Sequence, residues 1–495
     1  MRSLKSILFI FFVLTAFFLK STGEERQKPN ILFCIADDAS MNSFGVYGCD
    51  WIKTPAVDRL AKEGVVFTNA YNCNPKCAPA RACLVTGMYS WQLKEACNHW
   101  PHFPSEFKFY PHLLMEAGFH VGYTGKGWGP GSYDTEYNPA GPVYNDVKLK
   151  PPYQGIRTID YAANFKAFLD DNTDEKPFCF WLGAYEPHRK YEKDSWKKED
   201  KILSEVNVPG FYPDNEIIRG DMQDYAIEVE WYDTHIGEAI KALEARGLLD
   251  NTLVLITSDH GMPFPRIKGQ IYEEGFHVPL IAYWKGVIQP GRKITDFVSF
   301  PDVAPTIMEA VGMKPHEQMT GKSFLDLLIS QKSGRIDENR DHVLLGKERH
   351  DTGRANKDGI DLAYPVRAIR NDEFLYAHNI KPERWPVGNP EYGFRNCDGS
   401  PTKSYLLEIK EGSEEYKYFE MSFGMRPEEE LYNIQDDPDC INNLATLPEY
   451  AEVKAQLRQQ MEAELKEQGD PRILGNGDVF DNYPYGGRQL DYNIK

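Results

Sequence analysis

The sequence has no Asn-X-Ser/Thr glycosylation site, no internal repeat and no low-complexity tract. The missing glycosylation sites favour a bacterial periplasmic or secreted setting over a eukaryotic lumen. Basic residues are outnumbered by acidic ones, and the formal net charge is −18. Such an acidic chain argues against non-specific nucleic-acid binding. It still allows an anionic substrate, because a local cluster of Lys and Arg can outweigh distant charge that is screened by salt.

Long apolar runs are rare in this chain, and the one over residues 7–19 follows Arg2 and Lys5 and precedes small residues at 21–23. This pattern is typical of a signal peptide, so we expect residues 1–23 to direct export to the periplasm or to the outside of the cell. The run is too short and ends too abruptly to predict a membrane span, although an uncleaved anchor stays open. We therefore expect no stable membrane association.

The chain has nine cysteines, an odd number. In an exported protein some of them can pair, but one sequence does not reveal the connectivity. Cys77 stands two residues before Pro79 and four before Arg81, at the start of a predicted helix. This spacing is neither a disulfide framework nor a zinc site. A buried or disulfide-bonded Cys77 stays open at this point, because other cysteines lie close to it in the sequence.

Strand-like apolar runs alternate with helical patterns over the first two thirds of the chain. This alternation is typical of a mostly parallel sheet with helices on both faces, and it predicts an α/β fold. The strand-like runs are continuous and apolar, as expected for strands that are buried on both faces. Strands are predicted over residues 31–36, 119–124, 178–184, 252–258 and 278–283, and helices over residues 55–64, 107–117, 158–168, 222–245 and 323–330.

A second region is predicted beyond the polar stretch 331–340. Short strands are predicted there over residues 342–345, 366–370 and 373–378, which indicates a small antiparallel sheet. A charged amphipathic helix over residues 451–468 is predicted to pack against this sheet. We therefore expect a larger domain over residues 24–335 and a smaller C-terminal α+β domain over residues 336–495.

Chemically reactive side chains follow four of the predicted strands. Ligands of open α/β sheets bind at the carboxyl ends of the strands, so these side chains are expected to meet at one edge. Each has an ordinary explanation alone, since an Asp pair is usually a turn and a lysine usually lies on the surface. Together they predict one functional site. In chain order the residues are Asp37 and Asp38, Lys126, His188, and Asp259 with His260.

With Cys77 and Arg81, this pattern resembles that of the type I sulfatases over residues 29–330. The resemblance implies an alkaline-phosphatase-like α/β domain, and a smaller C-terminal domain that completes the substrate pocket. It also implies that a formylglycine-generating enzyme oxidises Cys77 to formylglycine. The hydrated aldehyde then attacks sulfur in the substrate.

The resemblance also implies one divalent metal, usually Ca²⁺. Carboxylate oxygens suit Ca²⁺, whereas an imidazole ligand leaves Mg²⁺, Mn²⁺ or Zn²⁺ open. The implied metal ligands are Asp37, Asp38, Asp259, His260 and the group formed from Cys77.

Further roles are implied for the cationic residues. Arg81 would hold the aldehyde hydrate, unless it lies on a solvated helix face. Lys126 and Lys268 would neutralise the sulfate oxygens as charge builds up on them. His188 would protonate the departing oxygen or nitrogen, because imidazole exchanges protons readily near neutral pH.

One position departs from the family pattern. The family usually has Gly-Lys-x-His, and its His assists the final release of sulfate, but this chain has Trp128 there. Indole cannot accept that proton. Either another base serves, with His260 the nearest candidate, or the release relies on the metal-bound environment.

The segments 186–189, 259–265 and 469–484 look closest to the heparan N-sulfatase branch, which cleaves the N-sulfate of a terminal glucosamine. Related branches cleave O-sulfates, so O-sulfated glucosamine of heparin or heparan-type glycans stays open. Two other functions also stay open: a phosphoester or phosphonate hydrolase of the same superfamily, and a catalytically silent glycan-binding protein.

A sulfated sugar as substrate needs cations and aromatic faces. Trp100 or Trp128 is predicted to provide the stacking face. The cations are predicted to come from a cluster in the smaller domain. The alternative is that this cluster is only an exposed turn. The residues concerned are Lys347, Arg349, His350 and Arg354.

Overall fold

The computed structural model describes residues 28–356 and 359–492, so the predicted signal segment 1–23 lies outside the described residues. Over the described ranges, no helix is both long and apolar enough to cross a membrane. The strands are β1 Asn30–Ala36, β2 Val65–Phe67, β3 Ala70–Tyr71, β4 His120–Gly125, β5 Phe178–Gly183, β6 Thr252–Ser258, β7 Leu280–Tyr283, β8 Arg292–Ile294, β9 Val298–Ser299, β10 His342–Lys347, β11 Val366–Asn371, β12 Phe374–Asn379 and β13 Glu429–Asn433. The α-helices are α1 Pro55–Glu63, α2 Cys77–Thr86, α3 Tyr110–Glu116, α4 Tyr161–Asp171, α5 Glu216–Ala245, α6 Glu273–Phe276, α7 Val303–Ala310, α8 Leu325–Ile329, α9 Pro401–Glu408, α10 Tyr416–Phe423, α11 Ala451–Glu467 and α12 Val479–Asn482.

The central sheet has seven strands in the order β4-β5-β1-β6-β7-β2-β8. Its strands run parallel except for β7, which pairs antiparallel with both β6 and β2. The mostly parallel α/β fold predicted from the sequence is therefore confirmed. A separate two-stranded sheet pairs β3 with β9.

The position of β1 at the centre of the sheet explains why the sequence of this strand is continuously apolar. Ile31, Phe33 and Ile35 pack into one hydrophobic layer, which also contains α2, α3, α7 and α8. The intervening residues of the strand pack into the opposite layer, with α1, α4 and α5. Both faces of the strand are thus covered, which is the usual situation for parallel strands.

Two helices begin at capping residues that the periodicity did not reveal. Asn215 accepts hydrogen bonds from the amides of Ile217 and Ile218, so α5 starts six residues before the predicted position 222. Asp160 accepts from the amide of Ala163, and α4 therefore starts at Tyr161 rather than at residue 158. A side-chain acceptor at the N-cap satisfies an amide that has no partner within the helix.

The C-terminal part contains the predicted antiparallel sheet, in the order β10-β11-β12-β13. Its fourth strand, β13, was not predicted, because its sequence Glu-Glu-Leu-Tyr-Asn has only two apolar residues. Helix α11 packs Leu457, Met461 and Leu465 into the core shared with this sheet. The predicted boundary between residues 335 and 336 stays a prediction.

Candidate active site

The loops that follow β1, β4 and β6 are tied together at the carboxyl edge of the sheet. The amide of Asp259 donates to the carbonyl oxygen of Ala36 at 3.2 Å, and the amide of Lys126 donates to that of Gly183 at 2.7 Å. The amide of Asp37 donates to the carbonyl oxygen of Glu186 at 3.3 Å. These backbone bonds bring together residues that are far apart in sequence.

Cys77 is the first residue of α2 and is only 2% exposed. Its Sγ atom lies 3.2 Å from Nε2 of His260. Burial and the Asp37 carboxylate raise the pKa of this thiol, but Lys126, Lys268 and His260 together bring it well below its usual range. The position therefore favours a negatively charged group.

Cys77 is one of four potential ligand groups that lie close together. One ligand atom from each of Asp37, Cys77, Asp259 and His260 lies within 4.8 Å of the others, and all four residues are buried. Asp38 joins them, since its Oδ1 atom lies 3.1 Å from Nε2 of His260 and has no hydrogen-bond partner although it is buried. A buried carboxylate oxygen without a partner and an oxygen-rich donor set fit a divalent cation.

The orientation and charge of His260 follow from its surroundings. Nδ1 lies 3.1 Å from the carbonyl oxygen of Gly261, to which it donates, so Nε2 points towards the carboxylates. Burial lowers the pKa of His260, but Asp259 and Asp38 overcome this effect and raise it to about 9. The same excess of negative charge would favour a bound cation.

The two predicted sulfate-binding lysines are buried and ion-paired, and neither is a surface lysine. Nζ of Lys126 lies 2.6 Å from both carboxylate oxygens of Asp37. Nζ of Lys268 lies 2.6 Å from Oδ2 of Asp38 and 2.9 Å from Oδ2 of Asp398. These carboxylates hold both ammonium groups near Cys77, where both lower the pKa of its thiol.

Arg81 is fully buried, which excludes the solvated helix face that the sequence left open. Its Nε atom donates to Oδ2 of Asp259 at 2.9 Å. One terminal nitrogen donates to the carbonyl oxygens of Lys126 and Gly127, at 2.9 and 3.0 Å. Its hydrogen bonds thus orient Asp259 and the Lys126 loop, and its charge also interacts with Cys77.

His188 lies at the open side of the site, with 35% of its side chain exposed. Nδ1 lies 2.6 Å from the carbonyl oxygen of Arg189, so Nδ1 donates and Nε2 faces the site. Nε2 is 4.0 Å from Oδ2 of Asp38. This ring can deliver a proton to a group bound between itself and the lysines.

Trp128 has a structural role at the position where a base was expected. Its indole Nε1 donates to the carbonyl oxygen of Ala78 in α2 at 3.0 Å, and its ring packs edge-on against Phe103. It is 3% exposed, and it also forms part of the wall of the cavity above Cys77. The side chain therefore links the Lys126 loop to α2.

A cavity of about 590 Å³ opens above Cys77. Trp100 and Trp128 line it, as predicted for the aromatic faces. Arg349 and His350, in contrast, do not line the cavity, and their role in substrate binding stays a prediction. Arg349 donates to the carbonyl oxygens of Tyr483 and Pro484, and Nε2 of His350 lies 3.0 Å from Oδ1 of Asn74.

Lys347 and Arg354 are also absent from the cavity wall, and they are buried rather than on an exposed turn. Nζ of Lys347 donates to the side chain of Gln270 and to the carbonyl oxygen of Pro386. Arg354 donates to the side chain of Asn396. These side chains satisfy buried carbonyl and amide oxygens of the C-terminal part and, through Gln270, of the larger part of the chain.

The charged groups that do line the cavity include several that the sequence did not reveal. Lys76, next to Cys77, pairs with Asp351 at 2.8 Å, and Asp351 also contacts Nδ1 of His99 at 3.0 Å. The adjacency of Lys76 to Cys77 was an available signal. No comparable sequence signal marks Asp351 and Asp398, because they reach the cavity from the C-terminal part.

All nine cysteines lie within the described residues and are free thiols, so a disulfide-bonded Cys77 is excluded in this structure. The sulfur atoms of Cys73 and Cys83 approach to 3.2 Å in the core beside α2.

Comparison with known proteins agrees with this geometry. A family model described as Sulfatase matches residues 29–313. An ulvan-active sulfatase of Formosa agariphila is 32% identical over 464 residues, which cover 91% of this chain and 83% of the relative. The human N-sulphoglucosamine sulphohydrolase is 26% identical over 497 residues, which cover 92% and 94%. A solved structure in complex with its substrate, D-glucosamine-2-N,6-O-disulfate, has a TM-score of 0.63 and 20% identity, covering 90% of this chain and 99% of that chain.

The fold and the family match define the class of protein as a sulfuric ester hydrolase with an alkaline-phosphatase-like fold. The chain belongs to the sulfatase family, and within it to the type I sulfatases. The resemblance predicted from the sequence is thereby confirmed. Membership implies a formylglycine and a divalent metal in general terms, and the buried donor set around Cys77 fits both.

Proposed function

We propose that the protein is an exported sulfatase that removes sulfate from glucosamine units of heparin or heparan-type glycans, with the N-sulfate as the first candidate. The observation that carries this proposal is the position of Cys77, which is one of four buried metal-ligand candidates and lies below a cation-lined cavity. The similarity to the human N-sulphoglucosamine sulphohydrolase over 92% of the chain supports the choice of sugar.

The metal is proposed to be Ca²⁺, with Mg²⁺ or Mn²⁺ as alternatives, and Asp37, Asp38, Asp259 and His260 would hold it. Together with the formylglycine made from Cys77 by a formylglycine-generating enzyme, it would supply an oxygen nucleophile for attack on sulfur. Ligand atoms of Asp37, Cys77, Asp259 and His260 lie within 4.8 Å of one another, and Asp38 approaches the set through its 3.1 Å contact with His260.

The two lysines would bind and orient the sulfate group. Lys126 and Lys268 line the same cavity as Cys77, and each would donate to sulfate oxygens whose negative charge increases during the reaction. Asp37 and Asp38 keep both ammonium groups charged and in place, at 2.6 Å. Arg81 would act by positioning Asp259 and the Lys126 loop.

His188 would give a proton to the departing atom. As the bond from sulfur to the sugar nitrogen or oxygen breaks, that atom takes up the electron pair and needs a proton. Nε2 of His188 faces the cavity while Nδ1 is fixed by the carbonyl oxygen of Arg189. The leaving sugar would therefore lie on the His188 side of the cavity.

Residues 336–495 are proposed to complete the substrate pocket. Asp351 and Asp398 reach into the cavity from this part of the chain, next to Trp100. Carboxylates at a cavity mouth can accept hydrogen bonds from sugar hydroxyl groups. This contribution supports a pocket formed by both parts of the chain.

The test combines mass spectrometry with substrate comparison. The protein is produced in a host with a formylglycine-generating enzyme, and the peptide containing Cys77 is analysed for the aldehyde. Release of sulfate is then measured from N-sulfoglucosamine, glucosamine 6-O-sulfate and an aryl sulfate, with an aryl phosphate for comparison. We expect the aldehyde and faster turnover of N-sulfoglucosamine.

Three results would contradict the proposal. Faster turnover of the aryl phosphate would favour the phosphoester hydrolase. An unmodified Cys77 thiol with no turnover but with retained sugar binding would favour a silent glycan-binding protein. Faster turnover of the 6-O-sulfate would keep the sulfatase but reassign the bond that it cleaves.

A further inference from the structure

Three of the four Lys and Arg side chains that line the cavity are neutralised by carboxylates. Lys126 pairs with Asp37, Lys268 with Asp38, and Lys76 with Asp351. The fourth, Arg157, is exposed, and no carboxylate among the described residues lies within 4 Å of its guanidinium group. Among the Lys and Arg side chains of the cavity, Arg157 is therefore the one without a close carboxylate partner, and the more distant carboxylates of Glu186 and Glu228 act on its charge.

The Arg157 guanidinium lies over an aromatic face. Its central carbon is 4.9 Å from the centre of the Tyr185 ring, and Tyr185 also lines the cavity. Stacking on the ring restrains the planar guanidinium and leaves its edge free to donate hydrogen bonds. A planar fork of this kind binds carboxylate or sulfate oxygens in pairs.

A chain of hydrogen bonds fixes Arg157 and Tyr185 relative to His188. The amide of Arg157 donates to Oε1 of Glu186 at 2.7 Å, and the hydroxyl of Tyr161 donates to Oε2 of the same carboxylate at 2.7 Å. The amide of Tyr185 donates to that hydroxyl at 3.1 Å. The amide of His188 donates to the carbonyl oxygen of Tyr185 at 2.9 Å.

This network makes the Arg157 position part of a rigid unit. Glu186 is 1% exposed, so its carboxylate is protected from solvent and holds both partners in a fixed arrangement. The backbone of Arg157 is thus fixed relative to the backbone of His188, and the stacking on Tyr185 restrains the guanidinium that extends from it.

We propose that Arg157 and Tyr185 form a subsite for a second anionic group of the substrate. The group is a carboxylate on a neighbouring uronic acid or a second sulfate on the same sugar. The inference rests on the proposed function, because it takes His188 to mark the side of the leaving sugar. The enzyme is then selective for sulfated sugars that carry a second negative charge.

The experiment compares three substrates in the mature enzyme. They are N-sulfoglucosamine, the same sugar with a second sulfate at the 6-position, and N-sulfoglucosamine linked to a uronic acid. The ratio of kcat/KM for each doubly charged substrate to that for N-sulfoglucosamine is measured in the wild type and in Arg157→Ala. We expect this ratio to fall by about tenfold to a hundredfold, which is the effect of losing a charge-assisted pair of hydrogen bonds.

The substrate that shows the loss distinguishes the two anion sources. The kinetic constant that changes, KM or kcat, separates binding from chemistry. A loss with the disulfated sugar alone assigns the subsite to sulfate, and a loss with the uronic acid alone assigns it to carboxylate. The loss is expected in KM, and Arg157→Lys should recover part of it. Lys150→Ala removes an exposed cation outside the cavity and should leave both ratios unchanged.

A binding measurement keeps the inference separate from the proposed reaction. Calorimetric titration of the Cys77→Ala protein with each doubly charged sugar reports affinity without turnover. Weaker binding after Arg157→Ala is added to this protein supports the subsite, whether or not the wild type hydrolyses the three substrates. If the wild type hydrolyses none of them, that result rejects the proposed function but not the subsite. Unchanged ratios and unchanged affinities for both doubly charged sugars would overturn the subsite.

Discussion

The Sγ atom of Cys77 lies 3.2 Å from Nε2 of His260, although the two residues are 183 positions apart in the sequence. One comes from the first turn of α2 and the other from the loop after β6. Because Nδ1 of His260 donates to Gly261, the ring can present only Nε2 to the site. The side chain that is expected to become an aldehyde therefore sits directly against the proposed metal ligands.

Replacing Cys77 with Ala should abolish hydrolysis, with a loss of at least about a thousandfold, as seen when a covalent nucleophile is removed. The fold should be retained, because Ala is smaller than Cys and fits into the space that the Cys77 side chain occupies. Turnover and thermal unfolding are measured together. Cys49→Ala, at a half-buried thiol outside the cavity, should keep full activity. Near-normal turnover in Cys77→Ala would contradict the proposed mechanism.

Adding Ca²⁺ to chelator-treated protein should raise the unfolding temperature. A ligand that binds only the folded state at a hundred times its dissociation constant adds about 2.7 kcal/mol to the free energy of unfolding. Asp38→Asn keeps the shape and tolerates the positive φ of 79° at this position, but it removes one negative charge from the donor set.

Asp38→Asn should therefore need more Ca²⁺ for the same shift, measured by calorimetry on protein that still carries the Cys77 thiol. Asp174→Asn, an exposed carboxylate, serves as control. Equal responses of all three proteins would exclude Asp38 as a ligand, and a larger shift with Mg²⁺ or Mn²⁺ would replace Ca²⁺ as the proposed ion.

Gly125→Ala should destabilise the protein and move Lys126. Gly125 has φ of +72°, and a Cβ atom there would lie 2.0 Å from the carbonyl oxygen of Gly183. Gly247 is a matched control, since its φ is +66° and nothing lies within 4 Å of an added Cβ. Both substitutions incur the left-handed strain of about 1–2 kcal/mol, and only Gly125→Ala adds a backbone clash.

Urea unfolding and sulfate release measure the two effects. We expect Gly125→Ala to lose more unfolding free energy than Gly247→Ala and to lose activity as well, because Lys126 shifts away from Asp37. Equal losses of stability with full activity in both variants would show that this strand end adjusts without moving Lys126.

Acid should weaken the fold through His235. Burial lowers the pKa of this imidazole to about 4, although Asp160 and Glu238 oppose the shift. The unfolded chain then binds a proton near pH 6.5 that the folded protein accepts only near pH 4, so stability falls as the pH drops through that window. The amide of Ala162, which donates to Nδ1 at 3.4 Å, also requires the neutral ring.

His235→Asn should remove this contribution while keeping a hydrogen-bond acceptor. Between pH 7 and pH 5 the wild type should lose about 2 kcal/mol more unfolding free energy than the variant. Urea unfolding at the two pH values measures the difference. His102→Asn, at an exposed histidine, should follow the wild type. Identical pH dependence in wild type and His235→Asn would show that another group controls acid unfolding in this range.

Local sequence signals located most of the central sheet. The runs at β1, β4, β5 and β6 are long and apolar because helices cover both of their faces. The strands that were missed, such as β2 and β13, are short or polar, and they form only because a neighbouring strand offers hydrogen-bond partners. Helix starts were missed where a side chain caps the first turn, as Asn215 does.

The sequence was sufficient to find the site residues that directly follow strands. It was not sufficient to find the residues that form the outer wall of the cavity. Lys126 and Asp259 follow their strands directly, so strand position is enough to place them at one edge. Asp351 and Asp398 belong to the C-terminal part, and nothing near them in the chain indicates which way they face. Arg349 and His350 were assigned to substrate because a sulfated sugar needs cations, but neither lines the cavity, and they contact the Tyr483 carbonyl oxygen and the Asn74 side chain.

The amino-acid pattern alone was sufficient for the α/β class, for Cys77 and its motif, and for the residues at the strand ends, because each of these depends on neighbours in the chain. The pairing of Lys76 with Asp351, the structural use of Trp128 and the unneutralised charge of Arg157 depend on groups from distant segments. Those contacts are set by how the loops and the C-terminal sheet pack over the edge of the central sheet, and packing of that kind leaves no periodic signal in the sequence.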